Sequence, residues 1–73
     1  MRLAKLKIGS SAKVVRVIGD SAVTKRLMEM GVIPGASITV IKTAPFGDPI
    51  EINVRGCHLA IRKSEAESIE VSE

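Results

Sequence analysis

Aromatic side chains are nearly missing from this sequence: among 73 residues there is no Trp, no Tyr and one Phe, Phe46. A core built from it must be filled by Ile, Val, Leu, Ala and Met, and a single-stranded nucleic acid would find no set of rings on which to stack its bases. Cysteine is equally scarce. The lone Cys57 excludes an internal disulfide, and together with the lone His58 it falls far short of a zinc-finger ligand set. Long apolar runs are absent as well. No stretch reaches the roughly 18 to 20 apolar residues that cross a bilayer, and Lys5 and Lys7 interrupt any apolar segment near the start that would serve as a secretory signal. The expected location is the cytosol, without a membrane span.

What is present is a 45% share of hydrophobic and a 26% share of charged residues, the profile of one small domain over residues 1–73. The net charge of +3 is unevenly spread. Residues 64–73 carry Glu65, Glu67, Glu70 and Glu73 and no base, while the body before them holds all eleven Lys and Arg against Asp20, Glu29, Asp48 and Glu51. A basic body points either to an acidic partner or simply to a solvated surface.

Turn residues divide the chain into short elements. Ala12 to Ile18 is rich in β-branched residues between Gly9-Ser10-Ser11 and Gly19-Asp20, and reads as the first strand. A helix follows, capped by Asp20 or Ser21, with Val23, Leu27 and Met30 spaced to line one buried stripe. Gly31 suits its left-handed end, and Pro34-Gly35 a type II turn. Ser37 to Thr43, Ile50 to Arg55 and Cys57 to Arg62 read as three further strands. Ile38, Val40, Ile50, Ile52, Val54, Leu59 and Ile61 point inward by the period of two. Ser64 to Glu67 matches a capping box and predicts one helical turn, after which Ile69 to Val71 closes as a last strand. Five strands and one helix in so short a chain predict a mainly β fold: a small SH3-like five-stranded antiparallel barrel, with one α-helix after the first strand and a short helical turn near the C-terminus. An OB-fold also has five strands, but its helix usually lies between the third and fourth.

Arg26-Leu27-Met28-Glu29-Met30-Gly31-Val32-Ile33-Pro34-Gly35, then Ala44-Pro45-Phe46-Gly47-Asp48-Pro49, then Arg55-Gly56 with Leu59-Ala60-Ile61-Arg62-Lys63, resemble the ferrous iron transport protein A (FeoA) family in order and spacing. The resemblance runs from about Leu3 to Val71. It implies an SH3-like barrel in the cytosol that serves as an accessory to FeoB, the large membrane ferrous iron transporter, and binds its cytosolic GTP-binding domain. The same module resembles the C-terminal domain of some metal-dependent transcriptional repressors, which leaves a metal-responsive or nucleic-acid-binding regulatory barrel as the alternative.

The residues themselves argue against catalysis. Cys57 and His58 are neighbours on one strand and face opposite ways, and the acids form no pair suited to general acid–base work. No glycine belongs to a phosphate-cradling loop followed by Lys-Ser or Lys-Thr. No metal cofactor is required on this reading. Cys57 and His58 are the weak candidates for a divalent transition metal, Fe²⁺ or Zn²⁺, against plainer readings as a small buried hydrophobe and a surface strand residue. Lys13, Arg16, Lys42, Arg55 and Arg62 are positioned to meet phosphates, but the missing rings make nucleic acid the weaker partner. Recognition is expected at Pro45, Phe46, Gly47, Asp48 and Pro49. Two prolines stiffen this loop, and Phe46 either anchors a partner or folds back to plug the barrel. Lys25 and Arg26 on the helix form a second candidate surface, and an uncovered strand edge would support a homodimer.

Overall fold

The computed structural model describes residues 1–19 and 21–73. A single 3-10 turn at Leu3–Lys5 leads into β1 (Ser11–Val17), then α1 (Ala22–Glu29), β2 (Ser37–Thr43), β3 (Ile50–Val54), β4 (Cys57–Ile61), α2 (Lys63–Ala66) and β5 (Ile69–Ser72). The strands form one antiparallel sheet in the order β4-β3-β2-β1-β5. Strand ends lie within a residue of expectation. The architecture is mainly β and SH3-like, with the long helix after the first strand.

A flat sheet of this size would enclose little volume. Two irregularities bend it: the register shifts between Val14 and Arg16 where β1 pairs β5, and between Val40 and Lys42 where β2 pairs β3. Such bulges increase twist and kink the strand. Val15 and Ile41, the residues inside the two shifts, are left exposed. β1 can therefore pair β2 with its first half and β5 with its second. The hydrophobic cluster is wholly aliphatic. Ile38, Val40, Ile50, Ile52, Val54 and Ile61 from the sheet are buried with Leu3, Leu27, Ile69 and Val71, and Leu59 packs against them from a half-buried position.

Local chemistry explains the connections. Past α1, the Gly31 N–H donates to the Met28 carbonyl at 3.1 Å and the Val32 N–H to the Leu27 carbonyl at 3.0 Å, which is the paired closure of a Schellman motif. It requires the positive φ of +106° at Gly31 and folds Val32 back into the core. The Pro34-Gly35 turn closes with the Ala36 N–H on the Ile33 carbonyl at 3.0 Å. Arg55 and Gly56, both at positive φ, make the two-residue hairpin between β3 and β4.

Three expectations need correction. The buried stripe of α1 is Thr24 and Leu27, whereas Val23 and Met30 are 41% and 39% exposed. Thr24 is tolerated inside because Ser21 shares its polar groups: Ser21 Oγ accepts from the Thr24 N–H and lies 3.2 Å from Thr24 Oγ1. Ser21 is thus the N-cap, and the alternative cap Asp20 lies outside the described residues. The cap of α2 sits two residues early, because the Arg62 N–H donates to Glu65 Oε1 at 2.7 Å and so makes Arg62 rather than Ser64 the N-cap. Cys57 is exposed at the hairpin end of β4, whereas Ile61 at the other end of the same face is buried.

Candidate functional site

Between β2 and β3 the chain leaves the sheet through Ala44-Pro45-Phe46-Gly47-Asp48-Pro49. The Ala44 N–H donates to the Pro49 carbonyl at 3.0 Å, closing the base of the loop, and the Gly47 N–H donates to the Ala44 carbonyl at 2.8 Å, closing its tip. Asp48 Oδ1 accepts from the Lys63 N–H at 3.0 Å and fastens the loop to the first residue of α2. The loop is shaped by its own backbone and needs no packing from the ring. Phe46 stands outside all of this at 97% exposure. The two readings of Phe46 are thereby separated: it does not plug the barrel.

On α1, Lys25 and Arg26 both face solvent. Arg26 is engaged, since its Nη2 donates to Glu65 Oε2 at 3.1 Å. Lys25 forms no ion pair among the described residues. The two candidate surfaces are connected through α2, whose Lys63 amide holds the loop and whose Glu65 carboxylate holds the helix.

His58 and Cys57 are not brought together. His58 Nε2 lies 2.9 Å from Glu51 Oε1 across the β3–β4 ladder, and Lys42 from β2 reaches the other oxygen of Glu51 at 3.5 Å. That face offers two metal-type donors beside a competing ammonium, and no group of three or more His, Cys, Asp or Glu side chains converges among the described residues. The donor set does not fit a tetrahedral transition-metal site.

One feature carried no sequence signal. A cleft of about 490 Å³ separates α1 from the segment running from β4 into α2, with Val23, Arg26 and Leu27 on one side and Ala60, Arg62 and Glu65 on the other. It depends on how two elements distant in sequence are set apart, which no local pattern encodes.

The curled five-stranded sheet, the helix after β1 and the displayed loop define a small SH3-like domain. The FeoA domain family matches the chain over residues 1–73. The FeoA protein of Chlorobium tepidum, solved by NMR, superposes with a TM-score of 0.91 at 46% identity, over 97% of this chain and 68% of that one. The zinc-complexed FeoA of Stenotrophomonas maltophilia gives a TM-score of 0.88 at 30% identity, over 99% of this chain and 89% of its own. It is described as a prokaryotic SH3 domain protein, with a suggested role as a ferrous iron transport activating factor. A Porphyromonas gingivalis protein that fuses Fe(2+) transport protein A to the Fe(2+) transporter FeoB is 39% identical over 71 residues. This chain spans 97% of its own length in that match but only 8% of the fusion protein. The chain belongs to the FeoA family. No helix among the described residues is long and apolar enough to cross a membrane.

Proposed function

We propose that residues 1–73 act as one noncatalytic module in ferrous iron uptake, docking from the cytosol on the GTP-binding part of an FeoB-type transporter. The observation that carries this reading is Phe46, a fully displayed ring on a loop whose shape is set by backbone hydrogen bonds and by Asp48. A preordered loop loses little conformational entropy on binding, and an exposed aromatic group gains most when a pocket desolvates it. The choice of partner is supported by the fusion in the Porphyromonas gingivalis relative, where an FeoA portion and FeoB share one chain and so meet at high effective concentration. Pro45, Phe46, Gly47, Asp48 and Pro49 form the contact, with Lys25 as an adjoining cation. Arg26 serves chiefly to hold α2. Iron in this scheme is the cargo of the transporter.

The test is capture of the transporter's isolated cytosolic domain by the immobilised protein, with and without GTP and Fe²⁺. Retention of that domain supports the proposal, and passage without retention under every condition refutes it.

A further inference from the structure

Open sheets have two edge strands, and among the described residues one of them is covered. On β5, Arg2 forms a bridge with Glu70, and the Val71 N–H donates to the Met1 carbonyl at 2.7 Å. Among the described residues no segment pairs with the outer edge of β4. The two-residue hairpin sets Val54 opposite Cys57 as its closing pair. In an antiparallel ladder hydrogen-bonded pairs alternate, so Cys57, Leu59 and Ile61 turn their backbone groups to β3, and His58 and Ala60 turn theirs outward.

Helix α1 stands beside that edge and is joined across the cleft at one point, by the Arg26–Glu65 ion pair at 3.1 Å. At one end the Arg55 side chain reaches Gly31, so that a Cβ placed on Gly31 would meet Arg55 Cδ at 3.3 Å. At the other end the cleft runs between Val23 and Thr24 on α1 and Ala60 and Arg62. An edge strand and a helix flanking an open cleft are the parts from which strand-addition sites are made: backbone pairing supplies affinity, and the groove reads alternate side chains.

We infer that this cleft receives a short extended segment of a protein partner, which pairs with His58 and Ala60 and carries acidic side chains. The acidic character follows from the walls. Arg62 lines the cleft and Arg55 lies at the far end of the edge beside Gly31, while the cleft's carboxylate, Glu65, is already held by Arg26 and the Arg62 amide. The apolar floor of Leu27, Val23 and Ala60 suits small aliphatic side chains between the acids. A second copy is the poorer occupant. Pairing two β4 strands about Leu59 would bring the Arg62 end of each copy beside the Arg55–Gly56 turn of the other, gathering like charge at both ends of the seam. The site is independent of Phe46, so either can fail without the other.

The test is an NMR titration of the ¹⁵N-labelled chain with an acetylated peptide of alternating Glu and Val, against the same peptide with Gln for Glu. Saturable shifts at the His58, Ala60 and Val23 amides are expected, with slowed hydrogen exchange at His58 and Ala60, and about tenfold weaker binding of the Gln peptide at low salt. Ala60→Pro, which removes an outward N–H and leaves the β3 ladder intact, abolishes these shifts. Arg62→Glu, a surface change, weakens binding by about tenfold and decides the matter if the proline variant does not fold. Three results would overturn the inference: no saturable shift, shifts confined to Ala44–Pro49, or the same β4 shifts produced by concentrating the protein without peptide, which would assign the edge to a second copy.

Discussion

Arg26 and Glu65, 39 residues apart in sequence, meet at 3.1 Å and tie the long helix to the short one. The other oxygen of Glu65 accepts from the Arg62 N–H at 2.7 Å, so one carboxylate both caps α2 and joins it to α1. The two bonds differ in weight. The Glu65 side chain is 10% exposed but that of Arg26 is 61% exposed, and a pair whose cation is so open to solvent contributes well under about 1 kcal/mol. The cap satisfies a helix-end donor and is worth about 1 kcal/mol. Glu65→Ala is therefore expected to cost about 1–2 kcal/mol, Glu65→Gln less, and Arg26→Ala less than about 0.5 kcal/mol. Urea unfolding of the three variants checks the order.

Gly31 is the next test of the frame. Its φ of +106° is the conformation that the Schellman closure needs, and an added methyl would stand 3.3 Å from Arg55 Cδ. Gly31→Ala should destabilise by about 1–2 kcal/mol, seen as a fall in Tm of roughly 4–8 °C for each kcal/mol in a domain of this size.

Arg55 is the one residue other than glycine with positive φ among those described, at +52°. Asn tolerates that conformation better, and Asn-Gly is the preferred pair in such a hairpin. Arg55→Asn should leave stability unchanged or raise it by up to about 1 kcal/mol, read from the denaturant midpoint at constant slope.

The sheet's interior makes a harsher prediction. Ile38 is fully buried on β2, between the Ala12 and Val54 positions of its neighbours. Ile38→Ala should cost about 2–5 kcal/mol through lost burial and the cavity left behind, a large share of the 5 kcal/mol or so at the low end for small domains. Calorimetry should show a sharply lowered transition or none.

The residues show why some of this was legible in advance. Ile50, Ile52 and Val54 alternate with polar neighbours, and a period of two states both the strand and its buried face. Gly31 and Pro34-Gly35 encode their turns through backbone conformations that few other residues adopt. The helix departs from its sequence pattern, in which Val23 and Met30 have the spacing and polarity of a core. The packed face is chosen instead by where the sheet lies, and Thr24 can occupy it once Ser21 takes up its polar groups. Cys57 shares its strand face with buried Ile61 yet is exposed, because burial along that face falls off toward the hairpin end, which the period of two does not encode. The site divides in the same way. The loop and its ring were visible as a composition, but the exposure of Phe46 rests on hydrogen bonds among Ala44, Gly47, Asp48, Pro49 and Lys63 that only the folded chain assembles.

The central claim is that Phe46 is a recognition group with no part in the core. Calorimetric titration of the transporter's isolated cytosolic domain with the native protein and with Phe46→Ala, alongside the Tm of each, tests it directly. The account predicts an unchanged Tm and a loss of about 2 kcal/mol or more in binding, roughly thirtyfold in Kd, as for a desolvated aromatic anchor. Equal affinity for the two proteins, or a collapse of Tm with binding retained by the folded fraction, would contradict it.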